Sequence, residues 1–181
     1  VRFVEWDACF AGPWHSEVAT ADVVINLAGA PIADGRWTDA RKRLLVESRI
    51  LSTRLLVDAL AGRSASLPLL ISASGIGYYG PSDDRLLDEA SSIGQGFLAE
   101  LSAAWEAEAL RAGQLGTRVV LLRTGMVLEQ GGGALPKMLL PFRLFAGGPV
   151  LPGTQWVSWI HRSDLIGLIQ WVIATATISG P

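Results

Sequence analysis

Residues that could bind a ligand or exchange a proton follow two short apolar runs of the chain. The first run ends in Asn26-Leu27-Ala28-Gly29, where small side chains would let a flat ligand approach the backbone and Asn26 could hold the strand end. The second run continues through Ser72-Ala73-Ser74 to Tyr78-Tyr79, which places hydroxyl and phenol groups where they could grip a polar substrate. Taken alone, each segment is equally well explained as a tight turn after a strand.

Two further candidate segments follow later apolar runs. Arg123-Thr124-Gly125 ends the third run, and His161 ends the fourth, with Asp164 three residues later. A histidine at a strand end is more often a structural hydrogen-bond partner, and an aspartate in the first turn of a helix is expected from the helix dipole alone. The carboxyl ends of parallel strands nevertheless meet at one sheet edge, where open α/β sheets bind ligands. We therefore expect residues 26–29, 72–79, 123–125 and 161 to line one crevice.

The apolar pattern predicts the elements that position these residues. Short apolar runs alternate with longer amphipathic ones, as in parallel strands that are covered on both faces by crossover helices. The predicted strands are residues 1–4, 23–27, 69–72, 118–122 and 157–160. The predicted helices are residues 38–60, 97–111, 135–145 and 163–174. Thr38 and Ser163 are expected to cap the helices that follow them, and Gly62 to end the first helix.

One domain over residues 1–181 is expected, because no linker, repeat or low-complexity tract interrupts the chain. Runs without polar alternation need cover on both faces of a sheet. The side chains expected to be buried in one parallel sheet are therefore Ile25, Leu70, Ile71, Val120 and Leu121.

Composition narrows the classes of function. The formal net charge is -2 and the 15 Lys and Arg residues are scattered, so no patch for nucleic acid or an anionic membrane is predicted. The single cysteine, Cys9, cannot form an intramolecular disulfide, and two histidines give no recognisable metal-ligand cluster. The sequence lacks the run of about 18 apolar residues that a membrane-spanning helix needs. These features favour a cytoplasmic protein without a bound metal.

An ordered series of motifs resembles one protein family. It begins with Asp22-Val23-Val24-Ile25-Asn26-Leu27-Ala28-Gly29-Ala30-Pro31-Ile32, followed by Arg36-Trp37 and Ser48-Arg49. The later motifs are Gly77-Tyr78-Tyr79-Gly80, Trp105-Glu106, Leu122-Arg123-Thr124-Gly125, Gly131-Gly132-Gly133, Leu140-Pro141-Phe142-Arg143, Gly147-Gly148-Pro149, and Trp159-Ile160-His161 with Asp164. Over nearly the whole chain, the series resembles the atypical extended short-chain dehydrogenase/reductases called epimerase family proteins, of the YfcH type.

The resemblance implies an α/β fold, a Rossmann-like doubly wound parallel sheet, with NADP(H) expected as the cofactor in preference to NAD(H). The residues implied beside the cofactor are Asn26, Leu27, Ala28, Gly29, Ser72, Ala73, Ser74, Arg123, Thr124 and Gly125. The family opens with a Gly-x-x-Gly-x-x-Gly turn that sets the pyrophosphate on a helix N-terminus, and no such motif precedes Asn26. We therefore expect the N-terminal βαβ phosphate-binding unit to be missing, and the chain to be a fragment that also lacks the family's C-terminal region.

A second departure from the family concerns catalysis. The wider superfamily uses Tyr-x-x-x-Lys, in which the lysine lowers the tyrosine pKa so that the phenol can exchange a proton while hydride moves to or from the cofactor. Counting back from Glu106 puts Leu98 and Ser102 at these positions. Ser74, Tyr79 or His161 would have to serve instead.

Two functions stay open at this point. The first is an epimerase or oxidoreductase that acts on an unknown small substrate such as a sugar nucleotide. The second is a cofactor-binding module without turnover, a redox sensor or partner-binding protein, which the missing dyad favours. The expected partners are the dinucleotide, the small molecule and a second copy of the chain in a homodimer. Without the glycine-rich turn, we expect weak dinucleotide binding and no turnover by the standard mechanism.

Overall fold

The computed structural model describes residues 1–7, 10–62, 68–149 and 153–181, so Cys9 lies outside the described residues. The strands are β1 (Val23–Asn26), β2 (Leu69–Gly75), β3 (Arg118–Thr124), β4 (Met126–Glu129), β5 (Gly132–Gly133) and β6 (Trp159–His161). The helices are α1 (Trp14–Thr20), α2 (Asp39–Ala61), α3 (Phe97–Gln114), α4 (Ala134–Arg143) and α5 (Arg162–Ala174). A 3₁₀ turn covers Ile76–Tyr79.

The chain divides into two compact units. The first is Val1–Arg123 with Thr177–Pro181, and the second is Thr124–Ala176. In the first unit β1, β2 and β3 form a sheet in that order, and β1 pairs with β2 in parallel. In the second unit β4 pairs with β5 in antiparallel and with β6 in parallel. The predicted α/β fold with a parallel sheet is confirmed, and the single domain stays a prediction.

Helices α2 and α3 pack on the first sheet. Thr38 caps α2, because its hydroxyl accepts a hydrogen bond from the Arg41 amide at 3.2 Å, and Gly62 follows the last turn. The helix predicted over residues 97–111 runs on to Gln114. The buried side chains that form the core here are Trp14, Val24, Leu56, Val57, Ala59, Leu60, Leu70, Ala109, Ala112, Val119 and Leu121.

Burial in the first sheet agrees with the prediction at four of the five named positions. Leu70 and Ile71 are fully buried, and Val120 and Leu121 are 3% exposed. Ile25 is 43% exposed, so its predicted burial is wrong. Strand β1 lies at the edge of the sheet, and its side chains point alternately to the two faces. Val24 is buried on one face, whereas Ile25 is exposed on the opposite face. An apolar run predicts a strand, but it does not predict that a second layer covers each face.

Three local predictions are also wrong. Residues 1–4 form no strand, since none of the described strands pairs with them, and Phe3 is 92% exposed. Strand β6 begins at Trp159 instead of residue 157. The cap of α5 is His161 instead of Ser163, because His161 Nδ1 accepts a hydrogen bond from the Ser163 amide at 3.2 Å. None of the described helices is long and apolar enough to cross a membrane.

Candidate functional site

The carboxyl end of β1 is held by helix α2. Asn26 is buried, and its side-chain amide donates to Thr53 Oγ1 at 2.8 Å while its side-chain oxygen accepts from the Ala28 amide at 3.2 Å. Trp105 Nε1 of α3 donates to the same Thr53 oxygen at 2.8 Å. Asn26 therefore holds the strand end as the sequence predicts, and Leu27 is left exposed in the turn beyond it.

Gly29 lies in close contact with the side chain of Arg49. A Cβ at Gly29 would lie 3.0 Å from the guanidinium carbon of Arg49. Arg49 donates to the carbonyls of Ala30 at 3.0 Å and Leu45 at 3.2 Å, and the Ser48 hydroxyl accepts from the Ala30 amide at 3.0 Å. Burial lowers the pKa of Arg49, and repulsion by Arg41 adds to this shift. Residues 26–30 are thus a preformed backbone turn above a buried arginine.

Strand β2 brings its serines beside the end of β1. The parallel register pairs Asn26 with Ser72, so the first two predicted segments are neighbours. Ser72 is fully buried, which leaves its hydroxyl no surface for a ligand, and Ala73 is half-buried. Ser74 is buried and donates its hydroxyl proton to Glu106 Oε1 of α3 at 2.6 Å.

Arg123, near the end of β3, lies at the centre of a charged network. Its Nε and Nη2 atoms each donate to a carboxylate oxygen of Glu106 at 2.8 Å. Its Nη1 atom donates to the Tyr79 hydroxyl and to the Glu89 carbonyl, both at 3.1 Å. Its guanidinium carbon lies 3.6 Å from the centre of the Tyr78 ring. The Glu106 carboxylate raises the pKa of Arg123, so the guanidinium stays charged.

Close backbone contacts fix the 3₁₀ turn that carries Tyr78 and Tyr79. Gly80 has a φ of 63°, which favours glycine, and a Cβ at Gly94 would lie 2.0 Å from the Tyr79 carbonyl oxygen. The Gly94 amide donates to the Tyr78 carbonyl at 2.9 Å. A cavity of about 710 Å³ lies beside this turn, with a lining that includes Tyr79, Arg85, Leu87, Ser91, Ile93 and Gln95. Tyr79 is thus a predicted catalytic residue that lines a cavity.

The positions where the sequence count placed the missing dyad face the same turn. A Cβ at Gly77 would lie 3.2 Å from Leu98 Cβ and 3.7 Å from Ser102 Oγ. Neither a leucine nor a serine carries a charge at neutral pH. The charged group that does contact the Tyr79 hydroxyl is Arg123, which comes from β3 and not from α3.

Thr124, Gly125 and His161 belong to the second unit. Gly125 lies so close to the segment before β6 that a Cβ there would be 2.4 Å from the Ser158 carbonyl oxygen. His161 is exposed and caps α5 through its Nδ1 atom. Because these residues and Ser74 lie in different units, the single crevice stays a prediction.

Sequence reasoning missed three residues that build the site, namely Arg49, Thr53 and Glu106. Two of them occur in the quoted motifs Ser48-Arg49 and Trp105-Glu106, but no role was assigned to them. Each of these residues lies next to the apolar face of a predicted helix. A polar or charged side chain in that position is partly buried and therefore needs a hydrogen-bond partner inside the protein, which is the signal that could have identified it. Within the described ranges, no cluster of His, Cys, Asp and Glu side chains could hold a metal ion.

Known proteins resemble this chain along its whole length. The sequence model of the NAD dependent epimerase/dehydratase family matches residues 1–180. An epimerase family protein of Staphylococcus haemolyticus is 41% identical over 182 residues, which cover 100% of this chain and 60% of that protein. The chain therefore spans about three fifths of the length of this curated relative.

Two solved structures share the architecture. The nucleoside-diphosphate sugar epimerase from Corynebacterium glutamicum has a TM-score of 0.82 and 37% identity, over 98% of this chain and 36% of that one. The human epimerase family protein SDR39U1 with NADPH has a TM-score of 0.79 and 35% identity, over 94% of this chain and 61% of that one. These similarities confirm the Rossmann-like fold.

Proposed function

Because the chain belongs to the NAD dependent epimerase/dehydratase family, we propose that it binds a nicotinamide dinucleotide and transforms a sugar nucleotide beside it. We further propose NADP(H) in preference to NAD(H), since the human relative was solved with NADPH. The name of the Corynebacterium glutamicum relative supports the substrate class. The observation that carries the proposal is Tyr79, which lines the cavity and also contacts the buried cation Arg123.

The residues at the strand ends fit a dinucleotide. Gly29 is exposed in the turn after β1, and the buried Arg49 packs against it and donates to the Ala30 carbonyl. In the proposal, Asn26, Leu27, Ala28 and Gly29 lie beside the cofactor. Ser72, Ala73, Ser74 and Arg123 lie toward its nicotinamide end, and the places of Thr124 and Gly125 beside the cofactor stay predictions of the sequence. Once bound, the nicotinamide would supply or take up the hydride.

The predicted catalytic side chains take different roles in this proposal. Tyr79 exchanges a proton with the substrate oxygen. Ser74 donates a hydrogen bond to Glu106, so its hydroxyl oxygen is left to accept a hydrogen bond from a substrate hydroxyl. His161 caps α5, and its catalytic role stays a prediction.

The second candidate function is a cofactor-binding module without turnover. Leu98 and Ser102 favour it, because they lie against the turn of Tyr79 and provide no ammonium group there. The two functions share cofactor binding and differ only in turnover. The homodimer and the cytoplasmic location stay predictions of the sequence.

Titration of the chain with NADPH and NADH, followed by nicotinamide fluorescence, tests cofactor binding. We expect NADPH to bind more tightly than NADH. If neither dinucleotide binds, both candidate functions are excluded.

Incubation with NADP⁺ or NADPH and a panel of uridine and thymidine diphosphate sugars tests turnover, measured by absorbance at the nicotinamide band and by chromatography of the sugars. We expect conversion of at least one sugar nucleotide. Tyr79→Phe should keep NADPH binding and lose about 10² to 10⁴-fold in kcat, the range of positioned acid–base catalysis. Dinucleotide binding without conversion of any sugar nucleotide would establish the non-catalytic module.

A further inference from the structure

The donors of Arg123 are divided between a buried carboxylate and a phenol. A guanidinium has five N–H donors in a planar fork and no acceptor. One edge of the fork makes two hydrogen bonds to Glu106, and the two side chains are only 9% and 6% exposed. The Nη1 atom contacts the Tyr79 hydroxyl and the Glu89 carbonyl. Arg123 is therefore held on one side and presents a donor to Tyr79 on the other.

This arrangement determines where the phenolic proton of Tyr79 can go. A guanidinium only donates, so the Tyr79 oxygen must be the acceptor of their hydrogen bond. The O–H hydrogen of Tyr79 then needs a different acceptor, and none of the described residues provides one. Tyr79 is one of the residues that line the cavity, so a ligand bound there is the candidate acceptor for this hydrogen.

The neighbouring serine is in the opposite situation. Ser74 donates its hydroxyl hydrogen to Glu106, so that hydrogen is already engaged inside the protein. The Glu106 carboxylate thus fixes Arg123 with both its oxygens and also accepts the hydrogen of Ser74. Of the Ser74 and Tyr79 hydroxyl groups, which contact Glu106 and Arg123 respectively, the one with a transferable proton belongs to Tyr79.

We infer that Arg123, fixed by Glu106, is the positioning residue that aims the Tyr79 phenol and takes the place of the lysine in the Tyr-x-x-x-Lys dyad. The catalytic part of this inference rests on the proposed function. In the reduction of a substrate carbonyl, the Tyr79 proton would move to the carbonyl oxygen, and a bound nicotinamide dinucleotide would supply the hydride to the carbonyl carbon. Tyr79 becomes a phenolate, whose charge lies 3.1 Å from Arg123 Nη1 until solvent returns a proton. Oxidation of an alcohol reverses these transfers.

Arginine is suited to this role in a way that lysine at the same position is not. The planar fork binds both Glu106 oxygens and still presents Nη1 to Tyr79, and the Tyr78 ring lies against its face at 3.6 Å. A lysine ammonium is a point charge without this fork. Arg123→Lys should keep the positive charge but lose the hydrogen bond that positions the Tyr79 hydroxyl.

Fluorine NMR of the unliganded chain tests the positioning directly. The chain has only two tyrosines, so 3-fluorotyrosine labelling gives signals from two residues, which Tyr78→Phe assigns. We expect Arg123→Lys to shift the Tyr79 signal. The matched control Arg54→Lys changes an exposed arginine that pairs with Glu108 and should leave the Tyr79 signal in place.

If Arg123→Lys does not fold, Glu106→Asp is the substitute variant, because the shorter acid draws the guanidinium away from Tyr79. A Tyr79 signal that stays unchanged in a folded variant overturns the inference.

Kinetics of Tyr79→Phe, Arg123→Lys and the double variant test whether Arg123 acts through the phenol. We expect each single variant to lose about 10²-fold or more in kcat with little change in KM, and the double variant to be no worse than Tyr79→Phe alone. Losses that multiply in the double variant would mean that Arg123 has only a structural role. If the unmodified chain converts no sugar nucleotide, the proposed function fails while the NMR result still decides the positioning. If conversion occurs and the NMR signal does not respond, the inference fails and the proposed function stands.

Discussion

Two glutamates on helix α3, only two residues apart, hold arginines in different surroundings. Glu106 pairs with Arg123, and the two side chains are 6% and 9% exposed. Glu108 pairs with Arg54 and Arg111, whose side chains are 47% and 43% exposed. Both carboxylates accept charged hydrogen bonds of similar length, near 2.8 Å for the Glu106–Arg123 and Glu108–Arg111 contacts.

The difference between the two clusters is what happens when one partner is removed. Water can solvate Arg54 and Arg111 without Glu108, so their pairing adds little to stability. Arg123 is covered by protein, and without Glu106 its charge would lose its buried counter-ion. The hydrogen bonds are similar in length, but the Glu108 cluster is a surface contact that adds little to stability, whereas the buried Arg123 needs Glu106 as its counter-ion.

The largest effect is expected for Glu106→Gln. It leaves the charge of Arg123 uncompensated in a buried site, which costs about 3–5 kcal/mol of unfolding free energy. Urea denaturation at neutral pH measures this loss. Glu108→Gln on the same helix is the matched control and should cost less than about 1 kcal/mol. Equal losses in the two variants would show that burial does not separate the two pairs.

A smaller effect is expected where the buried face of α3 meets α2. Thr53→Val removes the oxygen that accepts from both Asn26 and Trp105, and the two buried donors that remain should cost about 2 kcal/mol. Ser52→Ala is the control, because Ser52 donates only to carbonyls of its own helix and its loss leaves no donor unpaired. Urea denaturation of both variants tests this prediction. A loss in Ser52→Ala as large as that in Thr53→Val would contradict it.

The smallest effect is expected for the pH dependence of the exposed cluster. The hydrogen bond from Arg54 lowers the pKa of Glu108 below its ordinary value of 4.5, and that from Arg111 adds to this shift. A carboxylate whose pKa is lower in the folded state stabilises the protein fully above its unfolded pKa, and this stabilisation is lost as the pH falls through the folded pKa. The difference in unfolding free energy between the unmodified chain and Glu108→Gln should therefore shrink below about pH 4.5. Denaturation curves at several pH values measure this difference, and growth on acidification would refute the assignment.

Local features of the sequence determined the order and kind of most elements. The apolar runs predicted β1, β2 and β3, and Thr38 and Gly62 marked the ends of α2, because strand and helix periods and caps depend on residues close together in the chain. The same logic placed Asn26 and Ser72 at neighbouring strand ends, where the structure pairs them. Parallel strands with crossover helices leave few other arrangements.

The tertiary structure alone decided which partner each polar side chain takes. Arg123 reaches Tyr79 across 44 positions of sequence and Glu106 across 17, and neither spacing has a periodic signature. The tertiary structure also decided that Ile25, on an edge strand, is exposed, whereas Leu70 and Ile71 in the next strand are buried. The physical reason is that the choice of buried partners depends on how the helices pack against the sheet. Many pairings satisfy the same local pattern, and packing leaves only one of them close enough to form hydrogen bonds.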